Sequence, residues 1–180
     1  MRIVGGIFGG RKLKTFDGQD IRPTPDKVRE SLFNIIRLKV QGCCFLDLFC
    51  GTGAIGIEAL SRGANVVVFN DKDRKSIELA KSNLAPLTTD KNVQIYNLDA
   101  KLFIEKLKNS GQRFDFIYID PPYKTGEYNL IANLCQELLN DDGAIILESE
   151  IDLDLILQNL KVKDKRKYGR VHLTFIEKEK

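Results

Sequence analysis

The chain has 180 residues, 43% hydrophobic and 29% charged, with a formal net charge of +3. That suffices for one domain with a real core and is ordinary for a globular protein. No apolar run reaches the roughly 18–20 residues of a membrane span, and the N-terminal apolar stretch is too short for a signal peptide, so a cytoplasmic location is expected. The charge is uneven. Residues 1–40 hold nine Lys and Arg against four acids, and residues 161–170 hold six against one. A single basic run is usually solvated charge, but two at opposite chain ends could converge on one face and suit a polyanion. Cys43, Cys44, Cys50 and Cys135 make no metal-ligand pair and His172 is the sole histidine, so reduced thiols and no metal site are expected.

In chain order, "VGGIFGGRKLKTF" is a basic, glycine-rich arm that reads as a small strand pair. In "RPTPDKVRESLFNIIRLKV", Thr24 is placed as a helix N-cap and Pro25 as the first helical residue, with Val28, Leu32, Ile35 and Ile36 as the apolar stripe. From residue 43 strands and helices alternate. Strands are predicted at 43–49, 65–70, 92–97, 114–119 and 143–149, and helices at 54–62, 73–85, 100–109 and 128–139. The third helix carries Leu102, Phe103 and Leu107. This alternation predicts a doubly wound α/β fold, a mostly parallel sheet with helices on both faces. "KRKYG" and "RVHLTFIEK" add an antiparallel hairpin at one edge, joined at Gly169. The chain divides into an arm and helix, residues 1–40, and a sheet domain, residues 41–180.

"LDLFCGTGAIGIE" holds Gly51-x-Gly53-x-x-Gly56 between a strand and a helix. Dinucleotide-binding enzymes and methyltransferases that use S-adenosylmethionine share this need for close backbone approach to a ligand. Acids close the first three strands. Asp71 suits ribose hydroxyls, Asp99 an adenine amino group, and Asp47 a cationic ligand; a pyrophosphate would be repelled by Asp47. Asp73 and Asp90 read as plain turn or cap residues. "IDPPY" then closes the fourth strand. Two prolines remove two N–H donors and leave a stiff corner of carbonyls beside the Asp120 carboxylate. Such a corner accepts both hydrogens of an exocyclic amine, and Tyr123 can stack on the base.

Together, "FLDLFCGTGAIGIEALSRGA", "IDPPY", "GGIFGGRKL" and "RPTPDKVRESLFN" resemble the RsmD-type bacterial 16S ribosomal RNA guanine-N2 methyltransferases, a Rossmann-like class I S-adenosylmethionine-dependent family. The resemblance spans nearly the whole chain. It implies a seven-stranded sheet with an antiparallel C-terminal edge strand, and S-adenosyl-L-methionine held by Asp47, Phe49, Gly51, Gly53, Asp71 and Asp99. It implies an amine site of Asp120, Pro121, Pro122 and Tyr123, and RNA contacts from Arg11, Lys12, Arg22 and Lys124. The expected partner is ribosomal RNA within a small-subunit particle, met by a monomer. Phe49 stands where the general loop pattern has glycine, and Tyr123 where relatives often have Phe; neither change removes a function. Arg29 and Glu30 read equally as loop-orienting residues or surface ion-pair partners. The alternatives are a DNA adenine-N6 methyltransferase, a dinucleotide-binding module that leaves "DPPY" without a role, and a non-catalytic RNA-binding protein.

Overall fold

A computed structural model describes residues 1–16, 24–87, 92–121 and 127–179. The strands are β1 (Cys44–Asp47), β2 (Val66–Asn70), β3 (Val93–Tyr96), β4 (Phe114–Ile119), β5 (Leu139–Ser149), β6 (Leu160–Tyr168) and β7 (Val171–Lys178). The helices are α1 (Asp26–Ile35), α2 (Arg37–Val40), α3 (Ala54–Ser61), α4 (Arg74–Leu84), α5 (Ala100–Ser110) and α6 (Tyr128–Cys135). They build one seven-stranded sheet in the order β3-β2-β1-β4-β5-β7-β6. β1 to β5 are parallel, while β7 runs antiparallel between β5 and β6.

The β-branched and aromatic strands fill both faces, as expected of parallel strands covered on each side. Phe45, Val67, Phe69, Phe116, Tyr118 and Ile146 line one face beneath α1, α3 and α4. Leu46, Val68, Ile117, Ile119, Ile145 and Leu147 line the other beneath α5 and α6. On α5, Phe103, Ile104 and Leu107 are buried while Leu102 faces solvent. The predicted C-terminal hairpin is present, with the last strand inside and β6 at the rim. β6 starts at Leu160, five residues before the predicted segment, because an edge strand of alternating lysines carries no apolar period.

Two features of α1 differ from expectation. The helix starts at Asp26, with Pro25 in the cap position and no side-chain cap. The Thr24 hydroxyl instead donates to the Glu148 carboxylate at 3.0 Å, a charged and more strongly attracting acceptor. Val28, Leu32 and Ile36 are buried as the stripe requires, but Ile35 is exposed.

The arm forms a short antiparallel ribbon, with Ile3 N–H donating to Arg11 C=O and Gly10 N–H to Ile3 C=O. It is seated on α3 by Glu58, which is fully buried and accepts from Val4 N–H (2.7 Å), Gly5 N–H (2.8 Å) and Arg62 Nε (2.8 Å). Ser61 Oγ accepts from Phe8 N–H at 2.9 Å. Arg29 is wholly buried, pairs with Asp26 and donates to the Arg2 carbonyl, so it holds the arm to α1 and is no surface partner; Glu30 is exposed.

Candidate active site

The C-terminal ends of the parallel strands bring the sequence-predicted acids together. The β1 end passes into α3 through the glycine loop. Gly51 has φ 51°, and open space lies where its Cβ would stand, so the loop needs glycine for its backbone and leaves room beside it. Gly53 N–H donates to Cys50 C=O at 2.7 Å and caps α3. The third glycine serves packing: a Cβ on Gly56 would lie 2.2 Å from Phe69 Cε1. Phe49 is half-buried against the α5–α6 side of the core.

Asp71 shapes this loop. One carboxylate oxygen accepts from Gly51 N–H at 2.9 Å and the other from Asp73 N–H at 2.9 Å, and burial pushes the carboxyl above its ordinary range. Asp47 is 1% exposed and accepts from Gly56 N–H at 2.9 Å. Burial pushes it up to about 7, against the pull of that N–H and with a further push from Asp71. A buried carboxylate of this kind is relieved by a nearby cation. Asp99 is exposed and caps α5 through Lys101 N–H at 2.9 Å, leaving lone pairs open outward. Asp73 caps α4, as its plain reading has it; Asp90 lies outside the described residues.

Beside this loop lies the β4 end. β1 and β4 pair with Asp47 opposite Tyr118, and β4 and β5 pair with Ile119 opposite Leu147. The next residues, Asp120 and Glu148, are therefore neighbours, and by alternation both stand on the α1 side with Tyr118. Glu148 is 3% exposed, and its Oε2 accepts from both the Tyr118 and the Thr24 hydroxyl. Burial pushes Asp120 well above the usual carboxylate range, and Glu148, Asp47 and Glu150 push it further. Pro121 is buried; Pro122, Tyr123, Lys124 and Arg22 lie outside the described residues.

Sequence reading missed three residues that support this end of the sheet. Glu148 is one. Asn70, buried, donates to Leu48 C=O (3.3 Å) and Leu98 C=O (3.1 Å), tying the loops after β1 and β3. Asn83 donates to Thr52 C=O (2.9 Å) and brackets Lys14 through its N–H and C=O, so it joins the glycine loop to the arm. An acid closing a strand beside "DPPY" was the one available signal, for Glu148; the two asparagines carry none.

Of the basic candidates, Lys12 is exposed, and Arg11 donates to Pro86 C=O (3.2 Å) with its guanidinium over the Phe8 ring. Pro86 follows α4, towards the β3 edge, whereas residues 161–170 lie in β6 and the turn after it, at the opposite edge. The two basic runs therefore do not converge through Arg11, and in β6 Lys163, Lys165 and Arg166 pair with Glu177, Asp152 and Asp164. The cysteines are free thiols, and burial pushes Cys43 and Cys135 up to about 12. Among the described residues no helix is long and apolar enough to cross a membrane.

Comparison with known proteins agrees with this architecture. The family described as Conserved hypothetical protein 95 matches residues 1–177. YlbH of Bacillus subtilis strain 168 is 38% identical over 182 residues, 99% of each chain. The Ribosomal RNA small subunit methyltransferase D of Escherichia coli K12 is 33% identical over 183 residues, 99% of this chain and 90% of that protein. The solved structure of Escherichia coli yhhF superposes with a TM-score of 0.87 at 32% identity, over 99% of this chain and 98% of its own. SMU.776, crystallised with SAH, shares the fold at 19% identity and a TM-score of 0.72, over 84% of this chain and 48% of its own. The chain therefore belongs to the Conserved hypothetical protein 95 family, the RsmD-type methyltransferases that its motifs resemble.

Proposed function

We propose that this chain transfers the methyl group of S-adenosyl-L-methionine to the N2 amino group of a guanine in small-subunit ribosomal RNA. The observation that carries this reading is the acceptor-only corner Asp120–Pro121, set beside the glycine loop and Asp47 at the ends of adjacent strands. The Escherichia coli relative's name, Ribosomal RNA small subunit methyltransferase D, supports the substrate class.

The donor supplies a methyl group on a sulfonium, a good leaving group. The residues present suit it. Asp47 gives a buried negative charge for the cation, Asp71 and Asp99 give acceptors for ribose hydroxyls and adenine, and Gly51 leaves room. Phe49 and Gly53 complete the loop. The protein then contributes position and dryness. An exocyclic amine is a poor nucleophile because its lone pair is delocalised into the ring. Asp120 and the Pro121 carbonyl accept its two hydrogens and turn the lone pair outward. Tyr123, following Pro122, stacks on the base, worth about 1–3 kcal/mol. That offsets part of the few kcal/mol needed to extrude a nucleotide.

The extension of residues 1–40 meets RNA through Arg11, Lys12 and Arg22, together with Lys124. A chain this small takes its specificity from an assembling small-subunit particle, acts as a monomer and works in the cytoplasm. The test is labelled methyl transfer to small-subunit particles lacking the modification, with large-subunit particles and DNA in parallel. Label in N2-methylguanosine from the small subunit alone supports the reading. Label in DNA methyladenine overturns it.

A further inference from the structure

The Glu148 carboxylate is unused in the reading above, although it is buried at the same corner. Its Oε2 receives hydroxyls from two separate elements, Tyr118 on β4 and Thr24 just before α1. Its neighbour across the strands is Asp120, and both stand on the same face. We propose that Glu148 is a positioning residue of the amine site that acts through Asp120: the two carboxylates, side by side on neighbouring strands, together take the proton that the target nitrogen must lose. This rests on the corner being an amine site.

The ring-attached nitrogen bonds to the methyl carbon while the carbon–sulfur bond breaks, its electron pair staying on sulfur. The nitrogen then carries a positive charge, two hydrogens and the methyl group. One proton passes to an Asp120 oxygen, the N–H electron pair returns to nitrogen, and a neutral secondary amine remains. Asp120 can serve only if it is ionised yet basic. Burial makes it basic, and the neighbouring Glu148 charge adds to that. Glu148 is itself pushed up by burial, but the Tyr118 and Thr24 hydroxyls pull it back towards the charged form. The other groups facing Asp120 are Asp47 from β1, Glu150 beyond β5, Tyr118 on its own strand and Tyr128 on α6. None of these lies directly across the β4–β5 pair from Asp120, as Glu148 does one step beyond Ile119 and Leu147.

Glu148→Gln separates charge from geometry, because the amide oxygen still accepts from Tyr118 and Thr24. The test is the single-turnover rate on small-subunit particles across pH, for the wild type and Glu148→Gln, with cofactor affinity measured alongside. The rate rises with pH as Asp120 ionises. In the variant that limb moves to lower pH by about one unit or more, with a lower plateau and cofactor affinity unchanged. A limb at the same pH, or one displaced upward, overturns the proposal. If Glu148→Gln does not fold, carbon-13 carboxyl titration of the wild type decides: Asp120 and Glu148 must titrate in two well-separated steps, and two overlapping steps in the ordinary carboxylate range overturn it. A wild type that methylates no guanine refutes the underlying reading as well. An active wild type with an unmoved limb refutes the role of Glu148 alone.

Discussion

Gly56→Ala tests why the third glycine of the loop is there. Gly56 lies in the first turn of α3, and its ideal Cβ would be 2.2 Å from Phe69 Cε1, 2.6 Å from Cζ and 3.0 Å from Cδ1. Carbon atoms rest at about 3.5–4.0 Å, so the ring must retreat by more than about 1 Å. It has nowhere to go, because Phe69 is wholly buried between α3, α4 and the sheet. Overpacking of this kind costs about 3 kcal/mol, the upper end of the usual range. Alanine recovers about 1 kcal/mol of helix propensity. The net loss is about 2 kcal/mol, which for a chain of this length lowers Tm by about 4–8 °C. Calorimetry of Gly56→Ala reads it directly. Phe69→Leu should be costly alone yet cheaper in the Gly56→Ala background, giving a coupling of about 1 kcal/mol or more in a double-mutant cycle. A Gly56→Ala protein that melts at or above the wild-type temperature would refute the packing argument and return Gly56 to a ligand-contacting role.

Three further outcomes follow from the same geometry. Asp47 holds its proton up to about 7 when folded and to about 3.8 in the ordinary range, so between these values the folded state binds more protons and its contribution to stability falls as pH rises. Three units correspond to at most about 4 kcal/mol; denaturant titrations without cofactor should show Asp47→Asn gaining on the wild type from pH 4 to pH 8, and parallel curves would contradict this. Glu58→Ala strips the acceptor from Val4 and Gly5 N–H and from Arg62, a loss of about 3 kcal/mol, and should open the arm to trypsin at Arg11 and Lys12 while the sheet stays intact. Asn83→Ala unhooks Thr52 from Lys14 and should weaken cofactor binding several-fold with a loss of only about 1–2 kcal/mol in stability; unchanged affinity in titration calorimetry would show that the arm does not brace the loop.

What could be read in advance was local. The strand–helix alternation, the glycine loop and the acids closing β1, β2 and β3 depend on residues near one another in the chain, and each reappears in the fold. What could not be read joins distant residues. Glu58 meets Val4, Asn83 meets Lys14, and Glu148 meets Thr24, at separations of 54, 69 and 124 residues. Thr24 shows how such a partner overrides a local rule, since its hydroxyl leaves the helix N-terminus for a carboxylate. Leu102 shows the limit of composition, because the helical period alone decides that Phe103 and Ile104 turn inward and Leu102 outward. The start of β6 escapes a sequence reading for a different reason, since lysines that protect a sheet edge look like a solvated loop.

The central claim is that Asp120 holds the target amine beside the donor site without holding the donor itself. Asp120→Ala measures it, through single-turnover methyl transfer on unmodified small-subunit particles and cofactor affinity on the same preparation. By comparison with loss of one preorganised polar group in other enzymes, turnover should fall by about 100- to 1,000-fold, with cofactor affinity and Tm little changed. Turnover within about threefold of the wild type, judged against that expected loss, would contradict the claim. So would a loss of cofactor binding large enough to account for the whole effect.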